Sequence, residues 1–418
     1  MTQRAKALDV FYGTEHVGTV RGVTPLRFEY ASSWLQRTDT FALSQIALQS
    51  GVAASPQVQA FFENLLPEGE RRTYLSGQRK ASTLFSLLLA VAGDTAGAFV
   101  LLPQGQKPQE PAYERASWEA LADTIKNLSA AAIQTQAGNT RISLAGAQDK
   151  ASITIFDGQT PWLPKGSAAS THIIKPDIRR LAKIRESAAN ETIIMRTAAY
   201  CGLATAKVFY QPQTHACIVE RFDRFTRSDG TLGRLIQYDF CQFAGIVSDG
   251  KYEKEGGPGV AQCAQIIRQH SERPAPDLQA FAQWIFFNLF VGNNGSHAKN
   301  LSLYQRPGEG LRLTPFYDLM CTRIYPGLSK EFAFDIGGVV HPGEFGKAQM
   351  SGLAEQIGMG ARYLQTVALA LAAKLPDAVD QATRDTAPSL TQSGEAFTTK
   401  LAMAVKSITK RAATRIGA

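Results

Sequence analysis

The spacing of apolar residues changes period along the chain, and the changes divide it. The largely apolar residues 8–12 and 17–20 flank Gly13-Thr-Glu-His16, which predicts a hairpin, and residues 26–30 alternate as a third strand. Helices are predicted over 57–65, ending before Pro67, and over 84–91. Residues 102–111 are rich in Pro, Gly and Gln and predict a boundary. Beyond it Trp118, Leu121, Ile125 and Leu128 recur at helical spacing. Two β-like segments flank Ala145-Gly-Ala147, and Thr171-His-Ile-Ile-Lys175 reads as a strand ending in lysine. A helix over 187–201 is stopped by Gly202, strands follow over 206–210 and 217–220, and the chain from Gln237 onward is mostly of helical period. One segment departs from that period. An apolar helical run over 285–291 breaks at Gly292, passes a loop of Asn, His and Lys, and resumes as a strand-like stretch to Tyr304. Apolar walls on both sides of so short a polar loop describe a scaffolded chemical site.

Composition narrows the class. At 418 residues with 44% hydrophobic content, the chain can bury a large core over two or three domains. The first eight residues carry charge and no apolar core, so no signal peptide is expected, and the most apolar windows are interrupted or too short to span a bilayer. Five scattered cysteines without a CxxC pair argue against a zinc site or a disulfide framework and for reduced thiols in the cytoplasm. A net charge of +8 suits an acidic ligand such as a nucleotide or nucleic acid. It is concentrated in Lys175, Arg179, Arg180, Lys183 and Arg185, and near the end in Lys400, Lys406, Lys410, Arg411 and Arg415. The plain reading of such runs is solvated helix faces.

The candidate chemistry lies in an ordered series. A turn of small residues over 145–147 allows backbone N–H groups to approach a phosphate because no side chain intervenes, and a strand lysine, Lys175, follows it. That order occurs in kinase small lobes, where an acid on the next helix, here Glu191, would pair with the lysine. An equal local reading makes Glu191 an acid favouring a helix N-terminus. Glu220-Arg-Phe-Asp-Arg224 follows as a hinge whose backbone could meet an adenine edge, with Phe222 against the ring. Asn300 and Asp318 have the character of a metal-binding pair. A kinase catalytic loop carries its base Asp five residues before such an Asn, and that position is Gly295.

These stretches, in this order, resemble the HipA family, serine/threonine-protein kinase toxins of bacterial toxin–antitoxin pairs. The likeness is carried by Ile142-Ser-Leu-Ala-Gly-Ala-Gln-Asp-Lys150, Pro164-Lys-Gly166, Thr171 to Lys175, Val219-Glu-Arg-Phe-Asp-Arg224 and Gln237-Tyr-Asp-Phe-Cys-Gln242. Lys251-Tyr-Glu-Lys-Glu-Gly-Gly-Pro-Gly259, His297-Ala-Lys-Asn300, Pro315-Phe-Tyr-Asp-Leu319 and, nearer the start, Phe61-Phe-Glu-Asn-Leu-Leu-Pro67 complete it. The resemblance implies an α+β, bilobal protein-kinase-like fold with an extra N-terminal β-rich subdomain and a largely helical C-terminal lobe. It places a subdomain over 1–104, a nucleotide-binding lobe over 116–224 and a helical catalytic lobe over 225–418, with the kinase core at about 140–372. It further implies ATP and Mg²⁺ as cofactors. Ala145, Gly146, Ala147, Gln148, Asp149 and Lys150 would form the phosphate loop, and Lys175, paired to Glu191, would hold the α- and β-phosphates. Glu220, Arg221, Phe222 and Tyr317 would border the nucleotide. His297, Lys299 and Asn300 would face the γ-phosphate, Asn300 and Asp318 would hold the metal, and Ser143 would be autophosphorylated. A HipB-like helix-turn-helix antitoxin, operator DNA through that complex, and a translation protein such as an aminoacyl-tRNA synthetase are the implied partners; no membrane is. Family members carry the base Asp where this chain has Gly295, so the resemblance implies a kinase architecture with impaired catalysis.

Two other functions compete. One is a binding module that acts with a HipB-like repressor on DNA through the basic patches. The other is a small-molecule phosphotransferase, which the Lys251 to Gly259 stretch and the N-terminal subdomain disfavour. Bland roles stand beside the sharp ones: Ser143 as a strand residue, Lys299 as a loop charge, His172 and Cys241 as packing residues, Asp223 and Asp239 as acids paired to arginine or a helix end.

Overall fold

The structure, a computed structural model, describes residues 6–68, 72–73, 76–77, 81–91, 94–127, 129, 133, 148–179, 181 and 183–418. Ser143, Ala145, Gly146, Ala147, Leu128 and Arg180 lie outside them. The chain forms two compact units, Met1–Ile174 with Arg221–Gly250 and Tyr304–Gly308, and Lys175–Glu220 with Lys251–Leu303 and Glu309–Ala418.

In the first unit the predicted strands become an antiparallel sheet. Strands β1 (Ala7–Tyr12) and β2 (Glu15–Arg21) close the expected hairpin, β3 (Arg27–Tyr30) pairs with β2, and β4 (Val52–Ala53) and β5 (Phe99–Pro103) complete the order β4-β3-β2-β1-β5. The inward positions are aromatic: Phe28 meets Tyr30 edge-on at 4.8 Å, and Phe61 meets Phe62 at 5.0 Å and Phe99 at 5.8 Å. Phe61 and Phe62 lie on the helix Pro56–Glu63, which starts at a Ser55 cap with proline in its first turn, as helix entry favours. Beyond the irregular 104–111 segment come β6 (Ala112–Arg115), β7 (Ala151–Ile155), β8 (Pro161–Lys165) and β9 (His172–Pro176), ordered β6-β8-β7-β9. Residues on both sides of 102–111 belong to this first unit.

The second unit is largely helical. Its strands β10 (Val208–Gln211) and β11 (Ala216–Glu220) form a hairpin. The helix Ser187–Tyr200 is buried along most of its length against the long helices Ala361–Thr386 and Gln392–Gly417, and the helix Pro274–Val291 packs on those two in turn. Phe286, Phe287 and Phe290 are fully buried on the Pro274–Val291 helix. Burial of such a ring contributes roughly 1.5–3 kcal/mol, so this helix end is a firm wall for the loop that follows. Gly292, at φ +71°, ends the helix in the left-handed conformation that favours glycine. The five cysteines are buried and free, and no described helix is long and apolar enough to cross a membrane.

Candidate functional site

The loop after Gly292 is held by backbone and side-chain bonds on all sides. Asn293 Oδ1 accepts from Gly295 N at 3.2 Å while its amide donates to Asn288 Oδ1 at 2.8 Å. Asn294 N donates to Thr322 Oγ1 at 2.8 Å, and Thr322 in turn donates to Gly292 O. Residues Ala298–Asn300 form one turn of 3-10 helix, and Asn300 is buried with its amide 3.5 Å from Gly295 O. Tyr317 donates its hydroxyl to Lys299 O at 3.0 Å and bonds Ser302 Oγ at 2.8 Å. The His297 ring stands edge-on to Tyr252 at 5.1 Å, which brings the Lys251 to Gly259 stretch to this loop.

Lys175 is the centre of charge. The residue is 5% exposed, and its ammonium lies 2.5 Å from Glu191 Oε1 and 2.7 Å from Asp318 Oδ1. Burial alone would push the amine toward its neutral form, but Asp318 and Glu191 outweigh that and hold it protonated. One ammonium against two carboxylates leaves one negative charge, and the side chain of Asp318 is 42% exposed. Asp318 also has φ +60°, a left-handed backbone for a residue with a side chain, which typically costs about 1–3 kcal/mol and gathers at functional sites. Glu191 is the fifth residue of its helix and no acid lies in the first turn, so the helix-terminus role falls away and the lysine pair replaces it.

A part-exposed carboxylate with a net negative charge, Asp318, fits Mg²⁺, which takes one or two protein oxygens and completes its shell with water and substrate phosphates; the buried Asn300 amide could offer a second oxygen. Among the described residues no group of three or more His, Cys, Asp or Glu gathers to form an all-protein metal cage. Gly295 has no side chain to offer. A Cβ added there would stand 3.7 Å from Asn293 Oδ1 and 3.7 Å from Thr322 Cγ2, ordinary van der Waals contact, so the loop has room for a larger residue.

The hinge reading fares unevenly. Glu220 N donates to Lys207 O and Arg221 N to Thr171 O, each at 2.9 Å, so both backbone donors are committed within the fold. The Arg221 side chain is buried against Asp94, Asp223 and Ser170 rather than turned to a nucleotide. Phe222 is partly buried and meets Tyr304 edge-on at 5.9 Å. Of the phosphate-loop residues, Gln148 and Asp149 are partly buried and Lys150 is buried. Asp223 pairs with Arg221 and Arg224, Asp239 caps the helix Phe240–Ala244, and Cys241 is buried, as the bland readings expected. A residue the sequence reading undervalued is Asn190. Its amide donates to Cys321 O and Tyr325 Oη, both at 3.0 Å, and its Oδ1 accepts from Cys321 N at 2.8 Å, tying down the segment after Asp318. The signal was a lone amide in an otherwise apolar and small helix face.

A charged lysine joined to a helix glutamate and to a carboxylate on strained backbone, on an α+β fold, is the arrangement expected of a protein-kinase-like protein. Comparison with known proteins narrows the class. The HipA-like C-terminal domain profile matches residues 142–387 and the HipA N-terminal domain profile residues 8–102. The Sinorhizobium fredii protein Y4mE is 34% identical over 86% of this chain and 87% of its own length. The serine/threonine-protein kinase toxin HipA of Shewanella oneidensis is 29% identical over 84% of this chain and 82% of its own. A solved complex of HipA, HipB and operator DNA from Shewanella oneidensis contains a chain matching with a TM-score of 0.83 and 25% identity, over 97% of each chain. The chain belongs to the HipA family of toxin kinases.

Proposed function

We propose that this chain is an ATP- and Mg²⁺-binding serine/threonine-protein kinase toxin whose phosphoryl transfer is impaired by Gly295. The observation that carries the reading is the convergence of Lys175, Glu191 and Asp318 within 2.5 and 2.7 Å from three separate parts of the chain. Lys175 would hold the α- and β-phosphates, and Asn300 and Asp318 would hold Mg²⁺, which neutralises the phosphate charge when bound. Gln148, Asp149 and Lys150 would follow the phosphate loop, Lys299 and His297 would face the γ-phosphate, and Ser143 would be the autophosphorylated residue. The missing base costs about 10²–10⁴-fold in rate while binding, which depends on charge and position, survives. A translation protein such as an aminoacyl-tRNA synthetase is the proposed target in the cytoplasm, and a HipB-like antitoxin the neutralising partner, a reading supported by the Shewanella complex.

The room at Gly295 favours the test, because a Cβ at this position makes only ordinary van der Waals contacts. Mg²⁺-dependent ATP binding and autophosphorylation are measured for both chains. Equal ATP affinity, with labelling of Ser143 and growth arrest only in Gly295→Asp, is the expected result. ATP binding without labelling in either chain would favour a second reading, a pseudokinase that acts as a binding module with a HipB-like repressor on operator DNA. That reading draws on the same geometry, since the Lys175 cluster is intact where the base is missing. Failure of both chains to bind ATP would sink the kinase reading.

A further inference from the structure

Behind the loop, within the second unit, lies a small cavity of about 100 Å³ between the C-terminal helix and the segment that follows Asp318. Arg323, Arg411 and Arg415 line it with Pro342, Gly343 and Ile408. Helix Gln392–Gly417 presents Arg411 and Arg415 one turn apart, while Arg323 arrives from the short Thr322–Ile324 turn. Arg415 is fixed in place: its Nε donates to Phe345 O at 3.1 Å and its Nη2 to Pro342 O at 3.0 Å. Those bonds use two of its five N–H groups. No carboxylate among the described residues forms an ion pair with any of the three arginines. The position of Arg415 near the helix C-terminus is explained by the helix dipole. The dipole does not account for Arg323, which belongs to another element, or for three like charges gathered around one hollow. Burial, with Arg411 and Arg323 nearby, lowers the pKa of Arg415, as expected where positive charge is uncompensated.

We propose that this cavity is a binding site for a single phosphate group, free or as a phosphomonoester, clasped by Arg323, Arg411 and Arg415. Forked guanidinium donors match phosphate oxygens, and a hollow of this size holds one tetrahedral oxyanion. The site is joined to the loop that carries Gly295, because Arg323 N donates to Gly292 O at 3.0 Å and the Arg323 side chain lies against Gly292. Occupancy would therefore stiffen the junction from which the 293–300 loop departs. The phosphate site stands without the kinase reading, since none of its three arginines belongs to the nucleotide site.

The test uses the full chain with inorganic phosphate and with phosphoserine as probes, followed by calorimetry and by thermal unfolding at ionic strength matched with chloride. Both probes are expected to bind, and Arg323→Gln with Arg411→Gln together to weaken binding at least tenfold, as loss of two charge-assisted contacts demands. Both side chains are exposed, so the pair is expected to fold normally, which circular dichroism checks. Lys400→Gln on the same helix is the control and is expected to leave binding unchanged. Phosphate held at the Lys175 cluster would be indifferent to the two arginine changes, so binding that survives them overturns the proposal. No phosphate effect beyond chloride also overturns it. Duplex DNA binding lost in the double variant without any phosphate or phosphoserine binding overturns it as well, in favour of a nucleic-acid contact.

Discussion

Two clusters of buried charge, one in each unit, look alike in a list of ion pairs and differ in what they leave over. In the first unit Asp94, fully buried, receives Arg221, Arg224 and Arg234 at 3.3, 2.9 and 3.1 Å, and Asp223 binds Arg221 and Arg224 at 2.8 and 2.9 Å. The gaps are closed by Ser170 Oγ, Gly97 N, Thr95 O and Ser167 O. In the second unit Lys175 holds Glu191 and Asp318, and Asp318 reaches solvent on strained backbone. The first cluster has three guanidiniums against two carboxylates and is sealed from solvent, with Arg224 Nε and Arg234 Nε buried without a hydrogen-bond partner. The second has two carboxylates against one ammonium and is open on the acid side. A buried network closed off from solvent and bonded mainly within the protein holds a fold together; one with an exposed, negatively charged edge has the character of a candidate site for a cation or a cation-bearing ligand.

The strongest way to break this contrast is Asp94→Ala. Removal of one partner from a buried network leaves uncompensated charge, here three arginines sharing the one carboxylate of Asp223 and Arg234 with no carboxylate of its own, and typically costs about 3–5 kcal/mol. Denaturant unfolding is expected to show a loss of that size. A loss below 1 kcal/mol would mean that the cluster is a surplus charge store and not a structural tie.

Asp318→Asn probes the other side. Asparagine tolerates left-handed backbone at least as well as aspartate, and the lost ion pair is partly solvent-screened, so stability is expected to change by no more than about 1 kcal/mol. Mg²⁺-dependent ATP binding, measured by calorimetry, is expected to fall by about a hundredfold or more, the scale of a lost metal carboxylate beside phosphate. Unchanged affinity would remove Asp318 from the proposed site.

How much of this contrast was legible in the sequence depends on distance along the chain. Lys175, Asn300 and Asp318 could be found because each sits at the end of a strand or beside a short loop with recognisable spacing, and Glu191 because its helix follows the lysine strand directly. Asp94 could not. Its arginine partners lie 127 to 140 residues away, and nothing local distinguishes it from a solvated loop acid. For the same reason Arg221 read as a hinge residue: its neighbours in sequence suggested a crossover between lobes, while its side chain answers to Asp94 and Ser170. Asn190 was visible only as an odd amide, because its partners at Cys321 and Tyr325 are 131 and 135 residues away.

Acid sharpens the comparison further. Burial pushes the Asp223 carboxyl up, but Arg221 and Arg224 outweigh it and hold its pKa at about 2; Asp94 is likewise depressed by its arginines. A carboxylate whose folded pKa lies below its unfolded value of about 3.9 contributes stability that is complete above that value. That stability is lost as pH falls toward about 2, and for Asp223 it amounts to about 2 kcal/mol. The raised Lys175 pKa acts at the opposite end, its stabilisation being complete below the ordinary lysine value and lost only at strongly alkaline pH. Stability measured from pH 5 to 2 is therefore expected to fall, and Asp223→Asn, less stable at the start, to show a shallower slope. An identical slope would assign the acid limb elsewhere.

The smallest effects come from matched hydroxyl deletions, and they separate the clusters most cleanly. Ser170 Oγ donates to Asp94 Oδ2 at 2.7 Å and accepts from Arg221 Nη1 at 2.9 Å; Tyr317 Oη donates to Lys299 O and bonds Ser302. Ser170→Ala and Tyr317→Phe each remove a buried or part-buried pair of bonds, so each is expected to cost about 1–2 kcal/mol in stability. Their effects on ligand binding should diverge. Ser170→Ala leaves the proposed nucleotide site untouched, and its ATP affinity is expected to equal that of the parent chain. Tyr317→Phe frees the carbonyl of Lys299 beside Asn300, so ATP affinity in the presence of Mg²⁺ is expected to fall several-fold while affinity without the metal falls less. If both variants weakened ATP binding equally, the two clusters would be energetically one system, and the distinction between a sealed network and an open one would not hold.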